Sequence, residues 1–265
     1  MRIAAYVVPF FAIIAGVAGF NLRVSELMYV FNSTTGLPYR NAVTTVWLVS
    51  LTVLFLFCII VFAAKASAKH MALPGFESAF GTDPFIYPLL FVLVGITWVI
   101  GTFMYFSFLN TNNSVTLNDI YYIAFSIIAA VSTVFFAIEM YKDSRRNAAY
   151  ILSVIPTVFM CFWLIFLYMH NASNPVLLSY VYQCLAIVAS ALGFYFTSGF
   201  LYGKPAPGRA IVAYYSSVYF CFVSLADNIP TGIKMVYCSI IAVNLIHATM
   251  LIRNLQRKEE YDVWH

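Results

Sequence analysis

Few residues in this chain are equipped for chemistry, and most of them fall at helical spacing. Between residues 175 and 202, Ser179, Gln183, Ser190, Gly193 and Thr197 recur at intervals of three, four and seven, the pattern that lines one face of a helix. Between 232 and 252, His247 has Asn244 three residues before it, with Tyr237 and Lys234 further back. Asp227 precedes the turn Asn228-Ile-Pro-Thr-Gly232 and then Lys234, while Glu139 lies one turn before Lys142 and two before Arg146. Ionisable groups next to long apolar runs are costly to hold there and point to function unless a partner neutralises them. Partners are at hand for both acids. Glu139 is expected to pair with Lys142 or Arg146 at the membrane surface, and Asp227 with Lys234 across the turn or as a cap.

Two chemistries fit this set. Small and polar residues at these intervals let helices approach closely and hydrogen-bond across the contact, so packing explains much of the pattern. The alternative is a solute cavity lined by Gln183, Ser190, Thr197, Asp227, Asn244 and His247, with the Asp227 carboxylate at an outward-facing mouth. Catalysis has left fewer marks. The chain contains no HExxH, no carboxylates paired within a helical turn inside a span, no phosphate-binding glycine loop and no channel-filter sequence, and these are the signatures that metal, phosphate and ion chemistry require. One histidine in an apolar run does not supply two axial imidazoles for a haem. No catalytic, cofactor or metal-binding residue is therefore expected, and the enzyme reading, on Asp227, Glu139 or His247, ranks last.

The elements that carry these residues must be membrane helices. Of 265 residues, 63% are hydrophobic and 9% charged, against about 25% charged in a soluble domain. A helix rises about 1.5 Å per residue, so a hydrocarbon core of about 30 Å takes roughly 20 apolar residues. Runs of that size occur at about 3–21, 43–64, 86–109, 120–141, 150–170, 175–202, 209–228 and 232–252. Hydrocarbon leaves no backbone polar group unpaired, and strict alternation is lacking, so the runs are helices and not barrel strands. The expected fold is an all-α, polytopic transmembrane bundle of about eight spans, forming a single domain over 1–265.

Basic residues orient it. With the N-terminus inside, Arg2, Lys65, Lys69, Lys142, Arg145, Arg146, Lys204, Arg209, Arg253, Arg257 and Lys258 are cytoplasmic, and only Arg23, Arg40 and Lys234 lie outside. That asymmetry is the positive-inside bias, and it places both termini in the cytoplasm. Arg2 ahead of an apolar run ending Gly-Val-Ala-Gly19 also has the look of a signal peptide, but a clean A-x-A site is missing, so span 1 is read as retained. After it, Val24, Leu27, Met28 and Phe31 share one face while Arg23 and Glu26 lie elsewhere on the turn, which predicts a helix continuing near the outer interface. Ala12, Ala15, Gly16 and Gly19 form a small-residue stripe suited to close helix contact. The five cysteines, all in apolar runs without metal-ligand spacing, are expected to be packing residues.

Four strings carry a resemblance: Leu22-Arg23-x-x-Glu26-Leu27, Thr35-Gly36-Leu37-Pro38, Ala226-Asp227-Asn228 and Leu251-Ile252-Arg253-Asn254. Together they resemble an uncharacterised group of eight-span membrane proteins of clostridia and related Firmicutes. The resemblance implies a bacterial plasma membrane and transfers no activity. The functional expectation is a non-catalytic accessory, sensing or scaffold protein that binds a membrane protein partner or lipid. A carrier or channel for a small neutral or lipid-like solute, lined by spans 6 to 8, is the alternative. Its surroundings are the lipid bilayer, and no nucleic acid is expected despite a formal charge of +4.

Overall fold

The computed structural model describes residues 4–31, 37, 39, 42–71, 79–80, 85–142, 146–172 and 176–257. Eight long helices account for most of them: α1 (Ala4–Tyr29), α2 (Val43–Lys69), α3 (Ile86–Thr111), α4 (Leu117–Lys142), α5 (Arg146–His170), α6 (Val181–Leu201), α7 (Pro207–Ser224) and α8 (Thr231–Asn254). The remaining regular structure is a 3-10 turn at Leu177–Ser179 and a two-residue antiparallel pairing of His70–Met71 with Gln256–Arg257. Every helix except α7 is long and apolar enough to cross a membrane, which makes seven.

The ends of these helices follow local chemistry. At the start of α4, Thr116 and Asp119 form a reciprocal capping box: the Asp119 carboxylate accepts from the Thr116 backbone N–H at 2.9 Å, and Thr116 Oγ1 accepts from the Asp119 N–H at 3.3 Å. At the end of α6, Gly203 adopts φ +70°, the Lys204 N–H bonds back to the Gly199 carbonyl at 2.8 Å and the Gly203 N–H to that of Phe200. This left-handed C-terminal motif suits glycine because a Cβ would be strained there. Pro207 then opens α7 at a position where its missing N–H costs nothing.

Helices α3 to α8 close into a ring, each packed on the next and α8 on α3. At the α3–α8 seam the two backbones approach closely. A Cβ on Gly232 would collide with the Tyr105 backbone and the Gly101 carbonyl, and one on Gly101 would lie 2.8 Å from the Gly232 carbonyl. Helices α1 and α2 lie outside this ring against α7, which therefore has four helical neighbours: α1, α2, α6 and α8. The small-residue stripe of α1 faces α7, with Gly16 against Phe222 and Gly19 against Val223 and Tyr219. Such crowding explains the composition of α7. Its sequence is rich in Tyr and Ser, and nearly all of it is buried, so protein and not lipid solvates its hydroxyls.

Amphipathicity is inverted relative to a soluble bundle. Large apolar side chains on α2 such as Trp47, Val53, Leu54 and Phe57 are exposed, whereas Arg23, Glu26, Asp119, Asn244 and His247 are buried. The continuation of α1 past residue 21 is helical as the spacing predicts, but its face is the opposite one. Met28 is exposed while Arg23 and Glu26 point into the protein, because ion pairs inside the bundle replace water as the partner of these charges. Ser179 likewise leaves the α6 stripe and sits in the 3-10 turn before it. We expect Gly232→Val to drive α3 and α8 apart at a cost of about 1–3 kcal/mol, read as a fall in melting temperature of the detergent-extracted protein, with Gly203→Asn nearly neutral by comparison.

Candidate functional site: a buried arginine beside a one-ended cavity

Arg23 is fully buried, and all three nitrogens of its guanidinium donate hydrogen bonds. Nε donates to Asp227 Oδ1 at 2.8 Å, and Nη1 to Glu26 Oε2 at 2.6 Å. Nη2 donates to the carbonyls of Leu178 and Ser179 at 3.1 and 2.9 Å. The Tyr182 ring lies beneath, 5.1 Å from the guanidinium carbon, a cation–π contact. The second oxygens of the two acids are held as well, Glu26 Oε1 by the Thr45 hydroxyl at 2.7 Å and Asp227 Oδ2 by the Gln183 amide at 2.8 Å. One side chain thus ties α1 to α2, α6 and the α7–α8 turn. Only a planar fork with five N–H groups can satisfy this geometry.

This arrangement replaces the expected Asp227–Lys234 pair. Asp227 reaches back across 204 residues to Arg23 instead, because a buried carboxylate needs a buried counter-charge and Lys234, on the first turn of α8, remains partly exposed. For Glu139 the expected partners Lys142 and Arg146 lie outside the described side chains. Its Oε2 is buried without a hydrogen bond to any described residue.

Beside Asp227 opens a cavity of about 490 Å³, at the end of the ring where α3 joins α4, α5 joins α6 and α7 joins α8. That volume lies in the range of small-molecule sites, about 300–1,000 Å³. Most of the wall is apolar, with Leu27, Phe108, Leu109, Phe166 and Ile233 among its residues; its polar lining comprises Asp119, Asp227, Gln183, His170, Asn171 and Asn228 with the hydroxyl residues Ser114, Thr116 and Ser179 and the polar tips of its Tyr and Trp rings. Asp119 is held in place by Tyr105, whose hydroxyl donates to Oδ1 at 2.7 Å, and by Thr116 on Oδ2.

The floor of the cavity is aromatic. Trp163 stacks near Tyr237 with ring centroids 4.9 Å apart, and Tyr122 lies 5.5 Å from Trp163 and 5.0 Å from Phe166. Below them Phe159 meets Trp98, which in turn faces Phe194 and donates its indole N–H to Ser126 at 3.1 Å. Rings from α3, α4, α5, α6 and α8 thereby plug the middle of the bundle.

Of the residues singled out from the sequence, the structure brings Gln183 and Asp227 to the cavity and places the other four beneath it. Ser190 and Asn244 both hydrogen-bond Ser217 of α7, at 2.7 and 3.1 Å, and Thr197 bonds the Tyr214 hydroxyl at 2.8 Å. The polar stripes of α6 and α8 therefore meet as one hydrogen-bonded seam. At Gly193 a Cβ would lie 2.6 Å from Asn244 Oδ1. His247 sits among Phe80, Phe91 and Tyr214, and neither ring nitrogen has a hydrogen-bond partner among the described residues. With Thr133, Ser153 and Thr197 it borders a void of only about 10 Å³.

The sequence reading missed Asp119, Trp163 and Tyr237 as cavity residues, and Arg23 and Glu26 as buried. For the last two a signal existed: Arg23 and Glu26 share the string Leu22-Arg23-x-x-Glu26-Leu27, which the fold brings against Asp227 of Ala226-Asp227-Asn228. No group of three or more His, Cys, Asp or Glu able to hold a metal ion occurs among the described residues.

Comparison with protein-family models, curated proteins and solved structures finds no match. The class is defined by the fold itself: an all-α bundle with seven helices long and apolar enough to cross a membrane.

Removing one partner of a buried ion network leaves the others uncompensated, at a cost of about 3–5 kcal/mol. Arg23→Leu should therefore abolish stable extraction, and Arg23→Lys should not restore it. The combined change Arg23→Met, Glu26→Gln and Asp227→Asn should recover much of the yield, monitored by fluorescence-detected size exclusion.

Proposed function

We propose that this protein is a non-catalytic membrane protein of the sensing or accessory type, and that the cavity beside Asp227 is its ligand site. The observation that carries this reading is the cavity itself. It has the volume of a small-molecule site and a mostly apolar wall with a few fixed polar groups. Its carboxylates are immobilised by hydrogen bonds and by Arg23, as suits recognition, whereas a general acid or base needs a proton that can leave. The aromatic plug gives bound ligand a direct mechanical link to five helices. Lateral grooves between α4 and α5 and between α3 and α4 are almost wholly apolar and suit lipid chains.

We place the protein in a bacterial plasma membrane with eight spans, α7 included, and both termini in the cytoplasm, so that the cavity opens outward. The distribution of basic residues and the resemblance to eight-span clostridial proteins support this placement. In a cysteine-free background, a cysteine at Asn112 should then react with an impermeant maleimide in intact cells, and one at Lys204 only after permeabilisation. The reverse pattern would invert the topology.

A carrier is the second reading, favoured by one observation. The plug separates the large cavity from the small void at His247 along the axis of a closed six-helix ring, the layout of a pathway shut at its centre. Cavity filling tests ligand binding under either reading. Ile233→Trp should leave folding intact and remove any small molecule that co-purifies in native mass spectra of gently extracted protein. Retention of the same mass by the filled variant would place the ligand elsewhere.

A further inference from the structure

We propose that the ligand of this cavity is an organic cation, a compact ammonium-like group joined to a flat apolar body. The proposal rests on the reading of the cavity as a ligand site and adds the chemical class.

Charge is the first argument. Asp119 and Asp227 both line the cavity, and no lysine or arginine does so among the described residues. The buried positive charge nearest to it, Arg23, is already shared between Asp227 and Glu26. One guanidinium against two carboxylates leaves the network with an excess negative charge, and Asp119 adds a second. In a space walled by low-dielectric side chains these charges act with little screening. An anionic ligand would meet two carboxylates, with no lysine or arginine and only the His170 imidazole among the described wall residues to receive it. A neutral ligand would gain apolar contact alone.

The walls supply the second argument. Tyr105, Phe108, Trp163, Phe166 and Tyr237 all border the same space, and ring faces carry the negative side of the aromatic quadrupole. Aromatic faces with a nearby carboxylate are the recurrent solution for binding quaternary ammonium groups.

A third observation shows that the cavity is not simply sealed packing. Tyr237 and Trp163, only 1% and 2% exposed, bring a phenol and an indole ring to its lining. These two border the cavity floor, where the apolar body of a ligand and any acceptor it bears would lie. The carboxylates retain unused acceptor capacity. Asp227 receives one bond on each oxygen, and Asp119 Oδ1 receives only that from Tyr105.

Full-length protein in lipid nanodiscs, titrated calorimetrically, tests the proposal with three probes of similar size: benzyltrimethylammonium, its neutral isostere neopentylbenzene and the anion phenylmethanesulfonate. The expected result is saturable binding of the cation at least about 10-fold tighter than the isostere, with no binding of the sulfonate. Asp119→Asn should weaken the cation about 10-fold and leave the isostere unchanged, while Trp163→Leu should weaken both. If Asp119→Asn does not fold, the cation-to-isostere ratio of the unaltered protein decides. Equal or tighter binding of the isostere or the sulfonate, lost in Trp163→Leu, would overturn the cation assignment and leave the cavity as a ligand site. Absence of saturable binding by all three would count against both.

Discussion

Everything at the cavity end of this protein depends on one guanidinium. Away from water, an ionised group must find all of its partners in the protein, and Arg23 finds five: two carboxylates, two carbonyls and a ring face, with Thr45 and Gln183 holding the second oxygens of the acids. Because those partners come from α1, the turn before α6, α6 itself and the α7–α8 turn, the ends of four segments are set relative to one another by a single planar group. The cavity is bordered by what this group has fixed. Asp227 and Gln183 are wall residues whose positions are determined by their bonds to the network. The proposed ligand site and the integrity of this end of the bundle therefore meet at one residue.

The aromatic plug is the second organising feature. Trp98, Tyr122, Phe159, Trp163, Phe194 and Tyr237 come from five helices of the ring and fill its axis. Aromatic rings in offset and edge contacts gain about 0.5–1.5 kcal/mol per pair beyond the area they bury. In a membrane, where apolar surface gains nothing by leaving lipid, such contacts and close backbone approaches are the terms left to hold helices together. Gly101 and Gly232 supply the close approach at the α3–α8 seam, and the plug supplies the ring contacts inside it.

The helices were legible in the sequence because long apolar runs admit one backbone solution in hydrocarbon. All eight runs became helices, with shifts at the ends such as the extension of α1 to Tyr29. The site was legible only in part. Gln183 and Asp227 stand in the cavity wall, since a polar residue near the end of an apolar helix has few alternatives. Ser190, Thr197 and Asn244 share the same periodicity but bond across to α7, and periodicity cannot tell which neighbour a face meets. Arg23 was misplaced for a physical reason: a moment computed for a helix on a surface assumes that charges seek water, and here they seek each other. Trp163 does not stand out among 4 Trp, and Tyr237, placed on the polar side of the last helix with Asn244 and His247, has nothing among 19 Tyr to mark it as a cavity residue.

The central position of α7 carries a consequence for how the chain is made. It is the shortest of the eight helices and the one that is not apolar enough to qualify as a span by itself, yet it is the helix against which α1, α2, α6 and α8 all pack. In the eight-span arrangement, a segment carrying so many hydroxyls partitions poorly from an aqueous tunnel into bare lipid. Its favourable surroundings exist only once α1, α2 and α6, all synthesised earlier, have gathered to receive it. In that arrangement insertion of this helix and assembly of the bundle would be a single event, in which the chain's own first helices act as the solvent for a later one.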